Sequence, residues 1–302
     1  MGILNQSRQR SWVVTGLLLT CILVTSCGPA STPQSVTAPT APAEPAAPAA
    51  AKGPAKGESA IVDKIRENGK LRAGIAVAPP WLLQNPATNE YFGPAIDVGK
   101  KLADDLGVPI EFVDSGWDVM VAGIQADKFD MAIAPLFASP KRKEVIDFVT
   151  YTSAGTCYFV KKGYDKVKTL DDLNNPDITT VTYTGTGNEE GFKTKYPKAG
   201  IRSIIAPPGS QPPYEEILTG RGDVGIIDSP MAIVIEEKYP DLSVIGGANE
   251  CIANPDFPYP IGLGFNKKDP VFTAYLQSIV DGMQTQIDES ILKFSAPEYS
   301  AP

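Results

Sequence analysis

The residue that points most directly to chemistry is Arg142, which closely follows Ser139 and Pro140. Serine is a preferred N-cap and proline a preferred first residue of a helix, so Arg142 is expected in a first helical turn. A cation there opposes the helix dipole, which favours negative charge at the N-terminus. Arg142 is therefore poorly placed for helix stability and well placed to bind an anion with the free N–H groups of that turn. The alternative is an exposed surface arginine.

A second candidate is the glycine-rich loop that contains Gly185, Thr186 and Gly187, between an apolar run and a predicted helix. Its backbone N–H groups are expected to form an anion-binding nest. The loop does not fit the dinucleotide-binding fingerprint, because Gly191 falls one residue too late for the third glycine. A nucleotide-binding fold is therefore rejected.

A third candidate is Asp228, which follows the apolar run 224–227 and precedes Ser229 and Pro230. Its carboxylate either caps the next helix or binds a cationic group, and the two roles are compatible. In open α/β sheets, ligands bind outside the carboxyl ends of the strands, so these three loops are expected to face one cleft. An arginine with an anion nest suits a carboxylate, and an aspartate suits an ammonium group. Together they would recognise the two charges of an α-amino acid.

Two tryptophans are candidate contacts for the rest of such a ligand. Trp117 lies between a predicted strand and a predicted helix and is expected to stack on the ligand, with packing in the core as the alternative. Trp81 follows Pro79 and Pro80 and is the weaker candidate, because packing in the core or at the rim explains it as well.

The elements that must position these residues alternate between strands and helices, so the predicted class is α/β. The predicted strands cover residues 70–77, 109–113, 131–134, 178–183, 202–205, 224–227 and 242–245. The main predicted helices cover residues 97–106, 117–126, 214–218 and 270–287, with another ending at Lys195. Two long extended segments, near 150–160 and 256–266, are too far apart in sequence for a hairpin. They are predicted to be paired crossings between two lobes.

Composition narrows the function. The net charge of −8 argues against nucleic acid as a partner. The chain has no histidine, which removes the usual general base and the commonest metal ligand. We therefore predict no catalytic residues, no metal site and no cofactor.

The N-terminal residues indicate export. Arg8 and Arg10 precede the apolar run 12–24, which is too short to span a bilayer and is typical of a secretory signal. The run leads to Cys27 through small residues and resembles a bacterial lipoprotein box, in which the cysteine is lipidated; an ordinary signal peptide is the alternative. Residues 1–27 are thus a predicted signal peptide, and the Ala/Pro-rich residues 28–59 a predicted disordered tether. Of the later cysteines, Cys157 and Cys251 form either a disulfide or two buried free thiols.

These features together resemble the solute-binding lipoproteins of polar amino acid ABC transporters, over nearly all of residues 60–300. The resemblance rests on the order and spacing of several modest motifs: residues 70–74 (KLRAG), 79–81 (PPW), 93–97, Trp117, Asp130, 139–142 (SPKR) with 145–148 (VIDF), 185–187 (GTG), and 222–224 (GDV) leading to Asp228. It implies a two-lobed, type II periplasmic-binding-protein fold with two hinge strands and a ligand cleft between the lobes. The implied lobes are 60–154 with 258–302, and 155–257. Cys157 and Cys251 are then expected close together in the second lobe, each near a hinge crossing.

The resemblance also implies roles for the site residues. Arg142 would clamp the ligand α-carboxylate, aided by the backbone around Thr186 and Gly187. Asp228 would take the amino group with the carbonyl of Pro135. Trp117 would stack on the ligand. The chain departs from the family where Gly-x-Thr is usual, because Phe137 stands in place of the threonine and lacks its hydroxyl.

The leading hypothesis is a monomeric, membrane-tethered receptor that captures an amino acid or related zwitterion and delivers it to an ABC permease. It would lie in the periplasm or at the outer face of the cytoplasmic membrane, anchored through lipid on Cys27. One alternative is a sensory module that reports a ligand to a membrane partner. Another is an enzyme on the same scaffold, since some relatives of the fold are dehydratases acting on prephenate-like acids.

Overall fold

The computed structural model describes residues 52–206 and 212–299. The predicted signal peptide, the predicted lipid attachment at Cys27 and the predicted tether up to residue 51 lie outside the described residues. Among the helices in the described ranges, none combines the length and the apolar character that a membrane span needs.

Helices and strands alternate along the described chain, as expected for an α/β protein. The α-helices are α1 (Ala60–Asn68), α2 (Pro94–Leu106), α3 (Met120–Gln125), α4 (Pro140–Lys143), α5 (Gly187–Lys195), α6 (Tyr214–Leu218), α7 (Ala232–Lys238), α8 (Ala248–Ala253) and α9 (Pro270–Phe294). The strands are β1 (Leu71–Ile75), β2 (Leu83–Gln84), β3 (Tyr91–Phe92), β4 (Ile110–Asp114), β5 (Met131–Phe137), β6 (Ile146–Lys161), β7 (Thr179–Tyr183), β8 (Gly200–Ile204), β9 (Val224–Asp228), β10 (Leu242–Val244) and β11 (Asp256–Asn266). Short 3₁₀ turns cover Leu170–Leu173, Ser229–Met231 and Pro297–Tyr299.

One sheet runs through both halves of the molecule in the order β4-β1-β5-β11-β6-β9-β7-β8, with β10 also paired to β6. Strands β1, β4 and β5 are parallel to one another, and so are β7, β8 and β9. The two parallel groups are joined by β6 and β11, which pair antiparallel. In each group the carboxyl ends of the strands share one edge of the sheet, which is where ligands bind in open α/β sheets.

The long strands β6 and β11 are the two predicted crossings. At Thr156, β6 pairs with Asp256 of β11 on one side and with Asp228 of β9 on the other. Both crossings therefore meet close to a predicted ligand-binding residue. The architecture confirms the predicted two-lobed fold with two hinge strands.

The buried apolar side chains fall into clusters on either side of these crossings. Val149 and Tyr151 of β6 pack in the cluster that contains α2, α9 and β1. Tyr158 and Phe159, later in the same strand, pack in clusters formed only by residues 157–257. This division supports the proposed lobes, 60–154 with 258–302, and 155–257.

The structure differs from the sequence-based expectation at the start of the folded region and at the boundaries of several helices. Packing begins before Ala60, because Arg66 Nη1 donates a 2.6 Å hydrogen bond to the carbonyl of Pro54. Helix α3 begins at Met120 rather than Trp117, since residues 117–119 form a turn. Helices α1 and α8 were not predicted, and α9 continues to Phe294, past the predicted end at Ile287.

Candidate functional site

A cavity of about 90 Å³ lies at the strand ends where the two lobes meet. Its lining comes from the ends of β1, β5, β7 and β9 and from the turns and helices that follow them. The lining residues are Val77, Ala78, Pro79, Trp117, Pro135, Phe137, Arg142, Tyr183, Thr186, Gly187, Asn188, Pro212, Ile226, Ile227, Asp228 and Met231. The cavity thus brings together seven of the residues that the sequence analysis placed at one cleft: Arg142, Asp228, Trp117, Pro135, Phe137, Thr186 and Gly187.

Arg142 lies in the single-turn helix α4, whose start is set by Ser139 and Pro140. The side chain of Ser139 accepts a hydrogen bond from the backbone N–H of Arg142 at 3.4 Å. Only 8% of Arg142 is exposed, and this burial lowers its pKa, an effect opposed by the charge of Glu190. Even so, an arginine stays protonated in proteins. Arg142 is therefore a buried cation rather than the exposed surface residue of the alternative reading.

The guanidinium of Arg142 is oriented by two backbone carbonyls. Nη1 donates to the carbonyl of Phe137 at 3.0 Å, and Nη2 donates to the carbonyl of Gly185 at 2.7 Å. Neither partner neutralises the charge. Because a guanidinium has five N–H donors, others remain available for an anion in the cavity.

The glycine-rich loop contributes less than a complete anion nest. The N–H of Gly185 donates to Oε2 of Glu189 at 2.8 Å, so it is already occupied by a carboxylate of the protein. The expectation that Gly185 presents its N–H to a ligand is therefore wrong, and its carbonyl binds Arg142 instead. Gly187 and Asn188 begin helix α5, where no preceding helical turn can accept from their N–H groups. The first turn of α5 is the part of the loop that can still bind an anion.

Asp228 ends strand β9 and projects into the cavity. It occupies the N-cap position of the 3₁₀ turn Ser229–Met231, but its side chain makes no capping hydrogen bond. Its Oδ1 accepts from Nδ2 of Asn188 at 2.8 Å. Burial raises the pKa of Asp228 to about 6, while the Asn188 hydrogen bond opposes the rise. Among the described residues, no cationic side chain forms a salt bridge with Asp228.

Asn188 is a site residue that the sequence analysis did not single out. Its Oδ1 accepts from Oγ1 of Thr156 at 2.6 Å while its Nδ2 binds Asp228. The amide thus ties the first turn of α5 to the hinge strand β6 and to the end of β9. Its place directly after Gly187 was the available signal, because the first turn of that helix was already expected to face the ligand.

Of the two tryptophans, only Trp117 lines the cavity. Trp81 is 1% exposed and belongs to the core of the first lobe. The tight turn from Ala78 to Leu82, closed by two backbone hydrogen bonds between these residues, carries Trp81 away from the cleft. The prediction of Trp81 as a ligand contact is therefore wrong, and the smaller Val77, Ala78 and Pro79 line the cavity in this region.

The two lobes also contact each other directly around the cavity. Ser139 Oγ donates to Oε2 of Glu190 in α5 at 3.0 Å, beside the Arg142–Gly185 bond. Gly187 lies so close to Phe137 that a Cβ added there would be 2.6 Å from the phenyl ring. The cleft is thus bridged by polar and apolar contacts between α4 and β5 on one side and α5 on the other.

Cys157 and Cys251 are joined in a disulfide, with their Cα atoms 5.9 Å apart. Cys157 lies in β6 and pairs with Ile227, the residue before Asp228. The bridge fixes α8 to the hinge strand near the end of β9. Within the described ranges no group of three or more acidic or cysteine side chains is arranged to hold a metal ion.

Comparisons with known proteins bear on the family. Residues 71–294 match the family described as bacterial extracellular solute-binding proteins, family 3. The chain is 28% identical over 193 residues to the L-cystine-binding protein TcyJ of Escherichia coli, which covers 63% of this chain and 70% of that protein. It is 23% identical over 213 residues to cyclohexadienyl dehydratase of Pseudomonas aeruginosa, covering 69% of this chain and 75% of the enzyme.

The fold is likewise shared with solved structures. An ancestral amino acid-binding protein, described as a precursor of cyclohexadienyl dehydratase, superposes with a TM-score of 0.65 at 29% identity. The match covers 78% of this chain and 99% of that protein. With a family match over most of its length and this two-lobed architecture, the chain belongs to the bacterial extracellular solute-binding proteins, family 3.

Proposed function

We propose that the chain captures a zwitterionic α-amino acid in the cleft and delivers it to an ABC permease. Arg142 and the first turn of α5 bind the carboxylate, and Asp228 with the carbonyl of Pro135 binds the ammonium group. Trp117 contacts the remainder of the ligand. The similarity to a cystine-binding protein and to an ancestral amino acid-binding protein supports this class of ligand.

The observation that carries the proposal is that Asp228 lines the same cavity as Arg142 and has a neutral hydrogen-bond partner but no salt bridge among the described residues. A carboxylate that is partly removed from water and has no cation beside it is costly, which agrees with the raised pKa of Asp228. The Asn188 amide meets one oxygen and leaves the negative charge uncompensated. A ligand ammonium group would supply the missing charge, while Arg142 in the same cavity would meet the ligand carboxylate.

The proposal can be tested by titration calorimetry of the purified chain with a panel of α-amino acids near neutral pH. For the tightest ligand, the N-acetyl derivative removes the ammonium charge and the methyl ester removes the carboxylate charge. Each modification is expected to weaken binding at least about tenfold, or 1.4 kcal/mol. Equal affinity of the N-acetyl derivative would refute the role of Asp228, and equal affinity of the ester would refute that of Arg142.

We also propose that the chain is exported and held at the membrane by lipid on Cys27. The charged-then-apolar residues before Cys27 and the Ala/Pro-rich residues after it support this arrangement. Radiolabelled palmitate should be incorporated by the wild-type chain and not by Cys27→Ser when both are expressed in a bacterial host. Labelling of the variant at the wild-type level would contradict the anchor.

Acid-assisted elimination is a second candidate, because a carboxyl group with a pKa of about 6 can act as a general acid near neutral pH. The dehydratase among the relatives gives the reaction class to test. The Asn188 amide donates to Asp228 and so stabilises the ionised form, which favours binding over proton donation. The chain can be incubated with prephenate while the absorbance of an aromatic product is followed, with Asp228→Asn as the control. Formation of the product would indicate elimination rather than binding alone. We expect no turnover.

A further inference from the structure

The charges on the cavity wall restrict the side chain of the ligand. Among the described lining residues, only Arg142 and Asp228 carry charge. Residues 207–211, which precede the lining residue Pro212, are Pro-Pro-Gly-Ser-Gln and contain no ionisable group. If the two charges bind the α-carboxylate and α-ammonium groups, none remains for a third charge on the ligand.

The polar side chains of the wall are largely committed to the protein. Asn188 uses its amide nitrogen for Asp228 and its amide oxygen for Thr156. The hydroxyl of Thr186 donates to the carbonyl of Tyr183 and accepts from the N–H of Glu189. Each side chain therefore keeps only a part of its hydrogen-bonding capacity for the ligand, and neither carries a charge that could pair with a charged group of the ligand.

The two acidic residues that follow the lining residue Asn188 are also engaged elsewhere. Glu189 binds Lys193 at 2.6 Å, Ser203 at 2.5 Å and the N–H of Gly185, so its charge is already paired. Glu190 accepts from Ser139 and interacts with Arg142. Neither of these two carboxylates is therefore free to pair with a cationic side chain on the ligand.

Apart from the phenol of Tyr183, the remaining wall is apolar and comes from both lobes. Val77, Ala78 and Trp117 line it from the first lobe, and Ile226 and Met231 line it from the second. Burying an alkyl chain against such a wall is favourable, whereas burying an unpaired charge is strongly unfavourable. We infer that the ligand is an α-amino acid whose side chain carries no charge. This inference rests on the proposed function of the cleft and specifies the ligand class.

The inference separates this chain from its cystine-binding relative. Cystine carries a second ammonium and a second carboxylate, for which the described wall offers no partners. Norleucine and lysine give a more direct comparison of an uncharged and a charged side chain, because lysine is norleucine with an ammonium group at the end of the chain.

The test is titration calorimetry of the full chain with norleucine, lysine, glutamate and cystine. Norleucine is expected to bind at least about tenfold more tightly than each of the others. Lysine, glutamate or cystine binding as tightly as norleucine would overturn the inference and leave the proposed function standing. Failure of all α-amino acids to bind would instead refute the proposed function, and the inference with it.

Two variants at Ala78 test whether a charge on the cavity wall determines which ligand side chain is preferred. Ala78 lines the cavity, and its backbone N–H is fixed by the carbonyl of Leu82, so the substitution changes chiefly what faces the ligand. Ala78→Asp should reduce the preference for norleucine over lysine at least about fivefold, while the nearly isosteric Ala78→Asn should leave that preference unchanged. Retained norleucine binding shows that each variant is folded. An equal effect of the two variants would contradict the role assigned to charge.

Discussion

Asp228 and Arg142 bring opposite charges into one cavity, yet each is held by neutral protein groups. Asp228 accepts from the amide of Asn188, and Arg142 donates to the carbonyls of Phe137 and Gly185. These neutral partners orient the two side chains without cancelling their charges. Both residues are therefore held ready for a ligand that carries the complementary charges.

The raised pKa of Asp228 leads to a pH dependence of binding. Above about pH 7 the carboxyl group is ionised and the affinity for an α-amino acid should be constant. Below its pKa of about 6, the ligand must displace a proton, so the affinity should fall by up to about tenfold per pH unit. Calorimetry between pH 4.5 and 8 measures this slope. The ligand groups do not titrate in that range, and a flat profile would contradict an ionised Asp228 in the complex.

Arg142→Ala tests the proposed binding of the ligand carboxylate by Arg142. The loss of a charge-assisted contact to the ligand carboxylate is expected to weaken binding at least about hundredfold, or 2.7 kcal/mol. Lys141→Ala is the matched control, because Lys141 is an exposed cation in the same helical turn. Its affinity should stay within about twofold of the wild type. Near-native affinity of a folded Arg142→Ala variant would rule out the carboxylate clamp.

The two tryptophans show what sequence reasoning can resolve for single residues. Both follow predicted strands, and nothing in their local sequence separates a ligand contact from a core residue. The difference arises from the turn between Ala78 and Leu82, which places Trp81 in the core, whereas the turn at 117–119 leaves Trp117 at the cleft. Backbone turns of this kind depend on tertiary contacts that one sequence does not display.

At the scale of elements, the strand–loop–helix corners were predictable because their signals are local. Ser139 caps its helix through its side-chain oxygen and Pro140 occupies a first helical position, as the sequence indicated. Thr186 caps α5 in the same way, which was not predicted. The roles of individual N–H groups were not predictable, since Gly185 is committed to Glu189, four residues further along the chain. A glycine pattern predicts the path of a loop better than it predicts which groups stay free.

The first turn of α5 gives a prediction about close packing between the lobes. In Gly187→Ala the added Cβ would lie 2.6 Å from the ring of Phe137 and 2.7 Å from its Cβ, so the lobes could not approach as closely. Ligand affinity is expected to fall at least about tenfold. Replacing Phe137 by glycine in the same chain should restore a part of it, because both the clashing ring and the clashing Cβ are then removed.

The control for this prediction is Gly282→Ala in α9, where the added Cβ meets no atom within 4 Å. Alanine should stabilise that helix by about 0.5–1 kcal/mol and leave binding unchanged. Thermal unfolding and calorimetry of the three variants separate stability from closure. Native affinity of Gly187→Ala would show that the observed approach of Phe137 is not needed for binding.

At the scale of the whole molecule, the sheet passes through both lobes and only β6 and β11 form the paired crossings between its two parallel groups in the described residues. A hinge of two strands permits the lobes to rotate, and contacts across the cleft oppose opening. Two such contacts reach α5 and the loop before it: the bond from Ser139 to Glu190 and the bond from Arg142 to Gly185. The closed state is thus favoured by protein contacts in addition to those of the ligand.

The contribution of Glu190 to closure can be measured separately from ligand contacts, because Glu190 does not line the cavity. Glu190→Gln weakens a charge-assisted hydrogen bond to Ser139 and removes the negative charge near Arg142. A ligand that binds only the closed state would then have to offset a less favourable closing equilibrium. We expect a three- to tenfold loss of affinity, about 0.7–1.4 kcal/mol, expressed as faster dissociation in stopped-flow fluorescence of Trp117.

Glu67→Gln makes the same charge change on the exposed face of α1 and should leave dissociation unchanged. If both variants release ligand at the wild-type rate, the Ser139–Glu190 contact does not contribute to closure.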